Sequence, residues 1–283
     1  MKKIIFTFML LALSLYAYNQ TDTIYSNNEK IPCSVKEITP DAVKFCYPGE
    51  DLVNTLYKNA IQKIVFKSGR VQVFAEATSF KSVNSVEDFD NVTLTQVESE
   101  VKGLFKLGEL GAKAKGTTSL SNQERVKERA YRKLKIIAAM MGANAVYLTF
   151  ARSEGNKVTG GYVDGQGIYH STTQSAETSV SGVAYTNHLP NYQDFVNLKG
   201  NRNQFSSLGE VRLESSGSDM SKTDKSRRFQ ISGVKNENGL IMLTGELQGE
   251  KKINNFRVVS FDRSGFCIYY KDKETSYNIQ FGF

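Results

Sequence analysis

One stretch of this chain, and only one, carries apolar residues at a sustained helical spacing. Val126, Ala130, Leu134, Ile137, Ala138 and Met141 fall on a single stripe, the pattern of a helix laid against a core. Ser121 followed three residues later by Glu124 predicts a capping box at its start. Gly142 supplies the left-handed residue that ends such a helix. Everything around this segment reads as short strands broken by turns. Most of the interior must therefore be built from sheets, and the expected fold class is α+β and β-rich.

Three regions differ in texture. Residues 20–80 read as a small antiparallel β domain, punctuated by Thr39-Pro40-Asp41, Pro48-Gly49 and Ser68-Gly69, where proline presets φ and glycine accepts the positive φ of a turn. Residues 89–187 read as an α+β domain with the amphipathic helix on a sheet. Its strands are expected at Val92–Val101, Ala145–Phe150 and Val180–Tyr185. The stretch Arg152–Thr178 is rich in Gly, Ser and Thr without a sustained period, so a long loop or a mobile hairpin is expected there. Residues 203–283 read as an antiparallel β-sandwich or barrel. Asn238-Gly239 and Ser264-Gly265 mark hairpin turns, and Tyr277, Ile279, Phe281 and Phe283 alternate with Asn278, Gln280 and Gly282 as in a half-buried strand. The polar segment Ser215–Arg228 is expected to loop out.

Residues 1–19 have the layout of a cleavable signal peptide. Lys2 and Lys3 precede an apolar run from Ile4 to Leu15, and Ala17 is the small residue wanted next to the cut. The run falls short of the roughly 20 residues that a spanning helix needs, and no later segment qualifies. The expectation is an exported protein of the periplasm or surface of a Gram-negative bacterium, with no transmembrane helix after signal removal. The net charge of +7 becomes +5 once Lys2 and Lys3 leave with the leader. So mild an excess gives no support for nucleic acid as a partner.

Export allows disulfides, and Cys33 and Cys46 are the pair nearest in sequence. The strand pattern sets Cys33 on the face of Ile31 and Val35, and Cys46 opposite the face of Val43, Phe45 and Tyr47. Side chains on opposite faces cannot bring Cβ atoms within the roughly 3.5–4.5 Å of a disulfide. Free, half-buried thiols are expected.

Motifs that carry chemistry are few. Gly111 to Thr118 has the glycines of a phosphate loop, but Thr117 stands where the lysine belongs, so a flexible link before the helix is expected. His170 and His188 have no cysteine or carboxylate at ligand spacing, so no metal site and no cofactor is read. No nucleophile elbow or protease-type cysteine is present. Arg125, Arg129 and Lys133 recur at i, i+4 along the helix and form the one candidate partner-binding stripe, suited to an anionic surface. The terminal aromatic strand has the look of an outer-membrane insertion signal, although such barrels need at least about 8 strands.

The run from Glu128 to Val146, with Ala138 and Ala139 leading into Gly142-Ala143-Asn144-Ala145-Val146, resembles the YbjQ-type and RcsF-like families. Ser181-Gly182-Val183-Ala184-Tyr185 matches their later strand. The resemblance spans about Val92 to Asn187 and implies a helix packed on a sheet. It would also imply heavy-metal binding or envelope stress sensing. This chain departs from both, having no ligand cluster and no cysteine in its central region. The first region, with Val35-Lys36-Glu37-Ile38, Val43-Lys44-Phe45 and Ile64-Val65-Phe66, resembles a β domain of exported proteins from Gram-negative anaerobes.

These observations favour a non-catalytic binding or scaffolding module whose partner is an envelope protein or glycan. The alternatives left open are a hydrolase acting on an envelope polymer and a C-terminal region inserted in the outer membrane.

Overall fold

A computed structural model describes residues 21–26, 29–74, 80–118 and 120–283. The signal-peptide segment, including Ala17, lies outside the described residues. The chain divides into two compact units, Met1–Ser79 and Phe80–Phe283.

The first unit is a six-stranded antiparallel sheet in the order β4-β3-β2-β1-β5-β6. Its strands are β1 (Asp22–Ser26), β2 (Glu29–Ile38), β3 (Ala42–Cys46), β4 (Asn54–Tyr57), β5 (Lys63–Val65) and β6 (Val71–Val73). A register shift between Val35 and Glu37 bends β2, as a bulge does. Ile24, Cys33, Val43, Phe45, Ile61 and Ile64 form the core. The Asp22 carboxylate accepts from the amides of Val35 and Lys67, both at 2.8 Å, and so ties the start of β1 to the body of β2 and to the chain leaving β5. All three cysteines are free. Cys46 pairs in register with Ser34, which places it across the sheet from Cys33. Both are fully buried rather than half-buried.

The second unit joins two cores. The first lies under a four-stranded sheet in the order β7-β9-β12-β8, made of β7 (Thr93–Thr95), β8 (Phe105–Lys115), β9 (Ala145–Glu154) and β12 (Glu177–Thr186). The β7–β9 pair is parallel and the others are antiparallel. Of the expected strand Val92–Val101, only β7 forms. The acidic residues after it start a single helical turn, α1 (Glu98–Val101). Gly111 to Lys115 is no flexible link but the end of β8. There Ala112 and Ala114 pack toward the core while Lys113 and Lys115 point out, a period of two that marks a strand.

The helix α2 (Gln123–Met140) packs on this sheet through Val126, Ala130, Leu134 and Ala138. Its N-cap is Asn122, not Ser121. The Asn122 side chain accepts from the amides of Glu124 and Arg125 at 2.9 and 3.1 Å, while the Ser121 hydroxyl accepts from the amide of Thr118. At the other end Gly142 (φ +74) closes the helix. Its amide bonds Ala139 O and the Ala143 amide bonds Ala138 O, the paired bonds of a Schellman motif. A Cβ on Gly142 would lie 2.7 Å from Val259 Cγ1, so glycine is required for both conformation and space.

The third region is a barrel. Its strands are β13 (Gln204–Leu213), β14 (Ser221–Thr223), β15 (Arg228–Glu237), β16 (Leu240–Leu247), β17 (Asn255–Phe261), β18 (Gly265–Asp272) and β19 (Thr275–Gly282). They run β14-β13-β15-β16-β17-β18-β19, and β13 also pairs β19 from Ser207–Phe281 to Leu213–Ser276. That last pairing closes the ring and leaves β14 as an appendage. Aromatic rings fill the interior. Phe195, on the helix α3 (Tyr192–Lys199) that precedes the barrel, meets Phe266. The series continues through Phe281, Phe229, Phe256, Tyr270 and Tyr277, with centroids 4.7–5.6 Å apart. Each fully buried phenylalanine contributes about 1.5–3 kcal/mol. Arg228, Gln230, Ser232, Glu246, Lys271 and Gln280 are exposed on the outside. This polarity is the reverse of a membrane barrel, whose apolar face looks outward to lipid.

Regions 89–187 and 203–283 are thus two cores of one compact unit. The segment Ser215–Arg228 does not loop out freely. It carries β14, Met220 packs against the first core, and Arg132 and Glu87 hold Asp219 and Lys222 at 3.0 and 2.5 Å.

Candidate functional site

The basic stripe read along α2 does not exist as a surface. Arg125 is exposed, but Arg129 turns back to donate to Lys115 O at 2.9 Å. Lys133 is buried, its ammonium donating to Lys113 O at 3.0 Å and to Ser215 O. Burial, and then the nearby Arg129 charge, hold its pKa below the usual lysine range. The side chain bridges β8 to the segment after β13. Hydropathy alone places a lysine outside, and here backbone carbonyls have drawn it in.

Among the described residues, no group of three or more His, Cys, Asp or Glu could hold a metal ion. Glu210, a buried carboxylate of the barrel, is ion-paired to Arg227 at 2.9 Å, and Tyr270 OH accepts from the same guanidinium nitrogen at 2.9 Å. Arg257 lines a narrow cleft beside Leu107, Leu189 and Leu240. Its two terminal nitrogens donate to Leu107 O and Met141 O at 2.8 and 2.7 Å, and its guanidinium lies 5.3 Å from the Tyr269 ring centroid. Burial pulls its pKa down to about 10, so it stays charged at neutral pH. These groups tie the fold together.

The feature that packing does not account for is a projecting ribbon. Past the end of the sheet, β9 and β12 continue as β10 (Lys157–Val163) and β11 (Tyr169–Gln174), which pair only with each other. The stretch Arg152–Thr178, expected as a long loop or a mobile hairpin, is a hairpin. The signal was Asp164-Gly165-Gln166-Gly167 between Tyr162-Val163 and Ile168-Tyr169, where Gly167 (φ +79) takes the left-handed position of a longer hairpin turn. The seven residues of β10 carry it about 23 Å from the sheet.

Its base is fixed and its tip is ordered by side chains. Asn156 accepts from the Ala176 amide at 2.7 Å and donates to Ser121 O at 3.0 Å. Lys157 meets Glu154 at 3.3 Å. At the tip, Asp164 Oδ1 accepts from the amides of Gln166 and Ile168, both at 2.9 Å, and Oδ2 lies 2.7 Å from His170 Nε2. The His170 bond, then the Ile168 amide, hold the Asp164 carboxyl below its usual range. The Tyr162 ring stacks on His170 at 5.0 Å, and Tyr169 lies over Gly161, occupying the space a Cβ there would take.

Both faces of the ribbon are open. Ile168 is 54% exposed and Val158 70%, with Tyr162, Val163 and Tyr169 between them. From Val158 to Gln174 the one formal charge is Asp164, which is occupied by the turn. Tyr, Ser, Thr and Gly on a fixed base supply aromatic planes and adaptable hydrogen bonds, the chemistry of a binding loop. No protein-family model matches this chain, and no curated protein or solved structure is significantly similar to it.

Proposed function

We propose that this chain is an exported, non-catalytic binding or scaffolding module of the bacterial envelope, with the ribbon Lys157–Gln174 as its contact element. The observation that carries the reading is the cluster of five large apolar side chains left exposed on a hairpin whose formal charges are confined to Lys157 at its anchored base and Asp164 in its turn. A two-stranded hairpin gains little stability in isolation, and open apolar surface on a rigid projection is the mark of an interaction site. The export half of the reading is supported by the basic, apolar and small-residue order of residues 1–19.

The test shortens the ribbon without touching its base. Replacing residues 158–173 by Asn-Gly leaves Lys157 opposite Gln174, closed by a two-residue turn. Full-length tagged protein is expected to retain an envelope component reproducibly, and the shortened variant to lose it. Equal retention by both would refute the ribbon as contact element. Recovery of the uncut chain in the cytosol would remove the envelope from the reading.

A further inference from the structure

We propose that β11 is a self-association edge, through which two copies of this chain pair Tyr169–Gln174 with its own counterpart, antiparallel about a two-fold axis at Ser171. This rests on the reading of the ribbon as contact element and names its partner.

The two edges of the ribbon are not alike. β10 is blunted: its register shifts between Val158 and Gly160, it carries Gly160-Gly161, and a lysine stands at its start. Bulges, lysines and glycines are the devices by which an edge strand avoids pairing. β11 has none of them. From Tyr169 to Gln174 there is no proline, no glycine and no residue that is formally charged at neutral pH, and the bulged residue lies on the opposite strand.

The backbone pattern fixes the register. The Asp164 amide donates to Ile168 O at 3.0 Å, so this pair is hydrogen-bonded. In an antiparallel ladder bonded pairs recur at every second residue, which makes Tyr162–His170 and Gly160–Thr172 the next ones inward. Tyr169, Ser171 and Thr173 therefore direct their amide and carbonyl groups away from β10. A self-pair must match outward groups to outward groups. That sets Ser171 opposite Ser171 of the second copy, and Tyr169 opposite its Thr173.

The bodies of two copies, each at +5 without Lys2 and Lys3, repel one another, but Tyr169–Gln174 has no formal charge and projects from the sheet, so two copies of this edge meet with no like charges side by side. A two-fold pairing is self-complementary, and joining two ribbons gives four strands where two alone are marginal. One strand pair is a small contact, so the association belongs with weak, reversible interfaces.

Sedimentation velocity of the full chain over rising concentration is the test. The expected result is a monomer–dimer equilibrium that added salt does not weaken, since no charge pair forms it and salt screens the repulsion between two positively charged copies. Ser171→Pro removes an outward amide and no inward one, and Ser171→Lys sets two ammonium groups face to face. Each is expected to raise the dissociation constant at least about tenfold, with the circular dichroism spectrum and thermal midpoint unchanged. A monomer at every concentration, or a dimer that survives both substitutions, overturns the proposal. If self-association is absent while ribbon-dependent retention of an envelope component persists, only the pairing falls. If both are absent, the contact-element reading falls with it.

Discussion

Arg257, on the wall of the barrel, donates a 2.7 Å hydrogen bond to the carbonyl of Met141, the C-cap of a helix 116 residues earlier. The Schellman closure at Gly142 leaves the carbonyls of Met140 and Met141 without helical donors. Asn278 Nδ2 takes the first at 3.0 Å and Arg257 the second. Both donors come from barrel strands. The helix of one core is thus finished by the side chains of the other, and the helix dipole meets the buried cation at its negative end.

Arg257→Met should strand the carbonyls of Leu107 and Met141 in the interior. A loss of about 2–4 kcal/mol is expected in urea unfolding, from the cost of unsatisfied buried groups. Arg257→Lys should recover little of it, because one ammonium cannot reproduce a two-pronged fork. A loss below about 0.5 kcal/mol, the level of a surface change, would show that the bonds carry no weight.

Lys133 and Arg125 should behave oppositely although the sequence pattern groups them. Lys133→Met removes both carbonyl contacts and is expected to cost about 1–3 kcal/mol, with faster amide exchange over residues 215–220. Arg125→Ala should stay within about 0.5 kcal/mol. Equal effects would restore the idea of a uniform exposed stripe.

The ribbon tip should open in acid. The Asp164 pKa is depressed below 3.8 in the folded chain. Its contribution is therefore present above that value and is lost as pH falls through the folded pKa. Protection of the Gln166 and Ile168 amides should decline in that window and nowhere nearer neutrality. Asp164→Asn should abolish the acid step, and an unchanged exchange profile would count against the carboxylate as organiser of the turn.

The thiols should be silent in the native protein. Burial, and then the Asp22 carboxylate, push Cys33 up to about 11, so at pH 8 it is un-ionised as well as inaccessible. Cys267 is also raised by burial. Iodoacetamide is expected to leave Cys33 and Cys46 unmodified until urea exposes them, with no disulfide found by mass before or after. Rapid native labelling of Cys33 would contradict its place in the core.

Periodicity carried much of the fold. The stripe from Val126 to Ala138 placed the helix, and the alternation from Tyr277 to Phe281 placed the closing strand. Errors came where a local pattern had two readings. Ser121 and Asn122 are both good caps, and the geometry of the entering chain chose the second. Gly111 to Lys115 reads as a linker by composition and as a strand by its alternation of alanine and lysine. Closure of the barrel was not legible, because the β13–β19 pairing joins residues such as Ser207 and Phe281 that no local window links. The projecting ribbon hid behind glycines. Gly160 and Gly161 interrupt the period of two, although the backbone keeps pairing through them.

Closure also sets an order of events during synthesis. β19 follows every other barrel strand in the sequence, and the ring of strands has a gap until it arrives. Asn278, in that same strand, and Arg257, two strands before it, are what the end of α2 waits for. The helix can coil early, but its final carbonyls stay wet until β17 and β19 have emerged. A nascent chain paused before Thr275 would expose the Phe229 and Phe256 rings to the surrounding solution, and the pause itself becomes the moment of greatest aggregation risk.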